Sequence, residues 1–95
     1  MLEPERLAGV IAGYEFEPMR LLLADSKAGR CYYTTDWLCR LPGMDERGRF
    51  LRCDEVKGYW REAARVRIKV AADRYPWIHF RAVTKKDGVW SVEEL

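Results

Sequence analysis

Helical stripes and strand-like runs follow one another along the chain. Leu2, Leu7, Ala8, Val10 and Ile11 recur at rough helical spacing. Pro4 fits only a first turn, and Gly9 and Gly13 weaken the far end. A short helix from Leu2 to about Ala12 is predicted. Tyr14 to Ala24 reads as a strand, aromatic at Tyr14 and Phe16. Its run Leu21-Leu22-Leu23 suits a strand covered on both faces. Asp25 to Arg30 is a turn, and Cys31 to Leu41 a second strand rich in Tyr, Thr and Trp. Strict alternation puts Asp36 and Leu38 on one face of it and Tyr33, Thr35 and Trp37 on the other.

Leu41 to Gly48 is a loop punctuated by Pro42-Gly43 and Gly48, with Asp45 and Glu46 as solvated charge. Arg49 to Val56 is a third strand, closed by Gly58. Trp60 to about Tyr75 carries the strongest helical pattern, and Pro76 stops it. Trp77 to Thr84 is a fourth strand, Asp87-Gly88 marks a hairpin turn, and Val89 to Glu94 is an alternating fifth strand. The order is α-β-β-β-α-β-β. Three strands joined by turns form an antiparallel meander, and a crossover helix then allows a parallel neighbour. The expected class is α+β, a mixed central sheet flanked by helices.

A chain of 95 residues makes this one domain, spanning 1–95. No apolar run nears the roughly 18–20 residues of a membrane helix. No basic n-region precedes an apolar stretch, so a secretory signal is not expected. Cys31, Cys39 and Cys53 cannot all pair, and they lack zinc-ligand spacing, with His79 the single histidine. Reduced thiols in a cytoplasm are the expectation.

Charge is unevenly spread. Residues 1–56 carry 8 basic and 10 acidic groups, residues 57–86 carry 9 and 2, and residues 87–95 carry three acidic groups alone. A basic segment beside carboxylates is one way to build a phosphate-binding surface next to a metal site. The chemistry-bearing residues are Asp36 on one strand and Glu55 and Lys57 at the end of the next. Glu55 and Lys57 share a face, and a register that sets Asp36 opposite them gathers two carboxylates and an ammonium. Two such carboxylates repel unless a cation lies between them, and hard oxygen donors in that number suit Mg²⁺, with Mn²⁺ as the substitute. The lysine can orient water and stabilise charge at phosphorus. Arg61, Arg65 and Lys69 recur at i, i+4 and i+8, with Arg67 and Arg74 at their flanks, a ridge suited to a nucleic-acid backbone. Trp60 is the aromatic expected to face DNA. His79, on a strand between Ile78 and Phe80, reads as structural.

The run Y-x-T-D-W, then E-V-K-G-Y-W-R-E-A-A-R-V-R-I-K-V-A-A-D-R-Y-P, resembles the PD-(D/E)xK nuclease superfamily, more closely its small phage-borne members related to Holliday-junction resolvases. The likeness runs from about Phe16 to the last residue, and Glu55 to Pro76 is its specific part. It implies a restriction-endonuclease-like α-β-β-β-α-β core. It implies Asp36 and Glu55 as metal ligands with the Val56 carbonyl, Lys57 as the catalytic lysine, and Arg65 and Lys69 beside the scissile phosphate. The implied activity is Mg²⁺-dependent DNA cleavage leaving a 5′-phosphate, with a homodimer or a protein partner completing the footprint, inside a bacterial or phage-infected cell. Thr35 stands where that motif has proline. The first helix is shorter than in similar proteins, which carry there a Glu completing the acidic cluster; Glu3 and Glu5 are the carboxylates present here. These departures motivate a rival expectation, a degenerate nuclease fold used as a protein-binding or inhibitor module; a third is a passive DNA-binding domain that depends on Arg61, Arg65 and Lys69 and not on Asp36.

Overall fold

The computed structural model describes residues 2–95. In chain order the elements are α1 (Leu2–Leu7), β1 (Gly13–Phe16), β2 (Arg20–Ser26), β3 (Gly29–Thr34), β4 (Trp37–Arg40), β5 (Leu51–Lys57), α2 (Glu62–Arg74), β6 (Ile78–Lys86) and β7 (Val89–Glu94). Five strands form one sheet in the order β1-β4-β5-β6-β7, and β2 and β3 form a separate two-stranded ribbon. All neighbours in the large sheet are antiparallel except β5 and β6, which α2 joins in parallel. The general α+β mixed-sheet reading is therefore correct.

The two long strands expected at 14–24 and 31–41 are each broken in the middle. They remain one antiparallel hairpin, bent at Glu17–Met19 on one arm and Thr35–Asp36 on the other. Backbone bonds cross the bend from Glu17 N to Asp36 O (2.7 Å) and from Thr35 N to Met19 O (3.0 Å). The cause is local. Pro18 lacks an amide hydrogen, and Glu17 takes the left-handed region at φ 50°. The buried Thr35 hydroxyl donates to Met19 O at 3.1 Å, securing the corner.

The bend also overturns the expected alternation. Tyr33 packs with Leu38 in the principal core, whereas Trp37 packs with Cys39 on the opposite face of the sheet. Beyond the bend the ribbon leans on α2, where the Tyr75 hydroxyl donates to Leu22 O at 2.6 Å. The first helix is shorter than read, ending at Leu7.

Two cores result. The larger lies between the sheet, α2 and the ribbon, and centres on Leu21, Leu23, Tyr33, Cys53, Ile68, Ile78 and Phe80. The smaller, around Leu2, Ile11 and Cys39, lies under α1 on the reverse face. Strand β5 divides them by alternation: Cys53 faces α2, while Arg52 and Asp54 face the other way. On that reverse face Asp54 is wholly buried and bound by Arg81 (2.8 and 3.0 Å) and Arg52 (2.9 Å). Arg52 in turn reaches Glu5 of α1 at 3.1 Å. A buried carboxylate is tolerated because two guanidinium groups surround it.

The 41–50 loop is ordered by a residue expected to be mere solvated charge. Asp45 accepts from the Arg47 and Arg49 amides (2.9 and 2.8 Å) and from the Arg49 side chain (2.7 Å). The hairpin at Asp87-Gly88 has φ of 51° and 78°, the pair of positive values that a two-residue turn with the right twist requires.

Candidate active site

The corner at Thr35–Asp36 and the end of β5 come together. Trp37 pairs with Asp54 in the β4–β5 ladder, so Asp36, one step earlier, stands level with Glu55 and Val56. Its Oδ2 accepts a hydrogen bond from the Val56 amide at 3.0 Å. Asp36 thus sits at a bend rather than mid-strand, one residue before the β4–β5 ladder begins.

Glu55 is held from two sides. The Tyr33 hydroxyl donates to Oε2 at 2.8 Å, and Lys57 Nζ lies 3.2 Å from Oε1. Only 12% of the Glu55 side chain is exposed, against 40% for Lys57. Burial raises the Glu55 carboxyl above its ordinary range; the Tyr33 hydrogen bond opposes this, the Asp36 charge adds to it, and Lys57 opposes it. Burial, with the thiol of Cys53 and the carboxylate of Glu55 nearby, pushes the Tyr33 phenol up, so the hydroxyl remains a donor.

Glu55, Lys57 and Arg67 line one cleft of about 200 Å³, walled by Tyr32, Tyr33 and Thr34 of β3 and Ala64 of α2. Asp36 is not among the residues lining that cleft; its carboxylate is bound at the Val56 amide, between the two cleft residues in sequence. The Glu55 carboxylate and the Lys57 ammonium meet where a bent ribbon, a strand end and a helix converge, and the Asp36 charge is near enough to act on Glu55. Among the described residues no group of three or more His, Cys, Asp or Glu side chains is close enough to hold an ion. Two carboxylates nevertheless match the usual protein share of a Mg²⁺ shell, in which water and substrate phosphate supply the rest.

The basic ridge is divided. Arg67, expected only at a flank, is the helix residue that enters the cleft. Arg65, expected beside the phosphate, bonds Glu93 of β7 at 2.8 and 2.9 Å. Lys69 lies in a different groove with Arg47 and Arg49. Arg61 is exposed at the start of α2. Trp60 does not face outward for stacking; its indole donates to Val83 O at 3.2 Å while the ring packs on the principal core. Glu3 and Glu5 do not complete an acidic cluster either, being bound to Arg6 and Arg52.

Tyr33 was the residue missed. Its signal was its place three residues before Asp36, on a strand whose break could not be read. His79 lies 3.7 Å from Glu94, away from the cleft, in keeping with a structural role. Cys39 and Cys53 are fully buried, and burial raises their thiols to about 11 and about 12, so neither is a nucleophile near neutral pH.

Compared with known proteins, the chain matches no family model, no curated protein and no solved structure. No helix among the described residues is long and apolar enough to cross a membrane.

Proposed function

We propose that this chain is a metal-dependent DNA endonuclease of the restriction-endonuclease-like class. The observation that supports the reading most is that Asp36 is anchored at the strand end that carries the Glu55–Lys57 pair, with Arg67 lining the Glu55–Lys57 cleft. Asp36 and Glu55, with the Val56 carbonyl, are the groups that would hold Mg²⁺ or Mn²⁺. When bound, the ion would supply Lewis-acid polarisation of a phosphoryl oxygen. Tyr33 fixes Oε2 of Glu55, which restricts how the carboxylate can turn. Lys57, 40% exposed and tethered only to Glu55, is placed to orient an attacking water and to offset charge developing on phosphate oxygens. Arg67, planar and permanently charged, would grip a flanking phosphate. The 3′ oxygen would leave, giving a 5′-phosphate. The narrow footprint of one chain favours a second copy or a protein partner on duplex or branched DNA.

A second reading has its own observation. Both oxygens of Glu55 already have partners within the protein, Tyr33 and Lys57. That closed arrangement suits a degenerate nuclease fold that binds DNA or a protein without cutting. Incubation of plasmid and four-way-junction DNA with Mg²⁺ or Mn²⁺ separates the two. Cleavage by the wild type, abolished in Lys57→Ala and Asp36→Ala, supports the hydrolase. Equal cleavage by all three, or none by the wild type, rejects it.

A further inference from the structure

On the reverse of the sheet, at the same end of the strands as the carboxylate–lysine cleft, lies a second cavity of about 300 Å³. That is the lower end of the size range of small-ligand pockets. Val56 lies between Glu55 and Lys57 in sequence, but alternation turns its side chain to the opposite face, where it lines the cavity. The walls are aromatic: Tyr14 and Trp37 on one side and Trp90 on the other, with Leu2 and Glu3 from α1. Trp37 and Trp90 stand on β4 and β7, three strands apart and offset by four residues along the strand direction, so their indoles flank a trough rather than touching. Phe16 extends the strip to the sheet edge, its ring 4.8 Å from that of Trp37. Phe16 and Trp90 are 55% and 43% exposed, so large ring surface is left in water.

Aromatic walls of this kind take either a planar base or an organic cation. Two charges decide between them. Glu3, the one carboxylate at the rim, is already engaged by the Arg6 guanidinium and by the Tyr14 hydroxyl at 3.3 Å. Lys85 already lies over the Trp90 ring, its Nζ 5.0 Å from the centroid. A cationic ligand would meet a neutralised acid and a competing ammonium. A nucleotide would instead draw the Lys85 ammonium off the Trp90 ring to its phosphate and leave the ring face to the base.

We infer that this cavity is a stacking site for an unpaired nucleobase, with Lys85 contacting the adjoining phosphate. The inference rests on the nucleic-acid reading above only for the class of ligand, and it narrows the substrate to DNA with a single-stranded or distorted segment. A strand passing round the end of the sheet could place one nucleotide here while the next phosphate lies toward Lys57.

The test is binding of a labelled thymidine 12-mer, followed by fluorescence anisotropy in EDTA so that no cleavage intervenes. Trp90→Ala should weaken binding about tenfold, the scale of one lost base–aromatic stack, and Trp90→Phe should restore most of it. A 12-mer of abasic sites should bind the wild type as weakly as the thymidine 12-mer binds Trp90→Ala. Duplex of the same length should bind both proteins alike. Near-ultraviolet circular dichroism checks that Trp90→Ala is folded. Equal affinity of wild type and Trp90→Ala, or of intact and abasic strands, overturns the inference. So does quenching of tryptophan emission by tetramethylammonium that the 12-mer cannot displace. If the 12-mer result fails while Lys57→Ala abolishes cleavage, the base site falls and the hydrolase stands; the opposite pattern removes the hydrolase and leaves the base site.

Discussion

The carboxylate of Asp36 is hydrogen-bonded to the backbone amide of Val56, 3.0 Å away. The bond ties the bend of the hairpin to the strand end that bears Glu55 and Lys57. Asp36 thus has two separable duties, a structural acceptor and a negative charge. Asp36→Asn retains an acceptor oxygen and should unfold at nearly the wild-type urea concentration. Asp36→Ala loses a charge-assisted bond and should be destabilised by about 2 kcal/mol. Both should lose Mg²⁺-dependent cleavage, because both lack the charge. Cleavage surviving in Asp36→Asn would assign the residue to structure alone.

Lys57 is bonded only to Glu55 and is substantially exposed. Its removal should change stability by no more than about 1 kcal/mol. The same substitution should reduce cleavage at least a hundredfold, in line with the loss of a preorganised charge at the reacting phosphate. Urea titration and single-turnover cleavage on one preparation would show whether the two effects separate.

The reverse face makes a contrasting prediction. Asp54 has no exposed side-chain surface and pairs with both Arg52 and Arg81. Asp54→Ala leaves the Arg81 guanidinium without a carboxylate and Arg52 with Glu5 alone, and should cost about 3–5 kcal/mol, a large share of the stability of a small domain. Glu5→Gln, at the more exposed end of the network, should cost far less. Differential scanning calorimetry should rank them in that order.

Thiol reactivity should follow burial. Cys31 is exposed, whereas Cys39 and Cys53 lie in the two cores with raised thiols. An aromatic disulfide reagent at pH 8 should label one thiol quickly and three in denaturant. Fast labelling of a second thiol in the native protein would contradict the packing around β4 and β5.

His79 should make the fold sensitive to acid. Burial and the nearby Arg49 hold its pKa below the ordinary value, Glu94 opposes them, Arg81 adds to the lowering, and Asp45 opposes it. The unfolded chain therefore binds a proton more readily. This contribution is complete above the unfolded histidine pKa, near pH 6.5, and is lost as pH falls through the lower folded value. Unfolding free energy should decline between pH 7.5 and 5.5, and His79→Gln should flatten that slope.

Local chemistry made much of this protein legible in its sequence. The helical stripe at Glu62–Arg74 stopped before Pro76, the Asp87-Gly88 turn closed its hairpin, and the alternation along Leu51–Lys57 set Glu55 and Lys57 on one face. Those features depend on neighbours a few residues apart, so the residue order suffices to specify them. The break at Thr35 was not legible, because threonine suits a strand and the corner depends on a backbone oxygen at Met19, 16 residues away. That corner moved Tyr33 to Glu55, turned Trp37 to the reverse face, and aimed Asp36 at Val56. The same limit hid which helix charge enters the cleft: Arg67 does, while Arg65 is claimed by Glu93, 28 residues later. A periodic pattern tells which side chains share a face, but what opposes that face is decided by segments distant in sequence, brought there by burial of the common core.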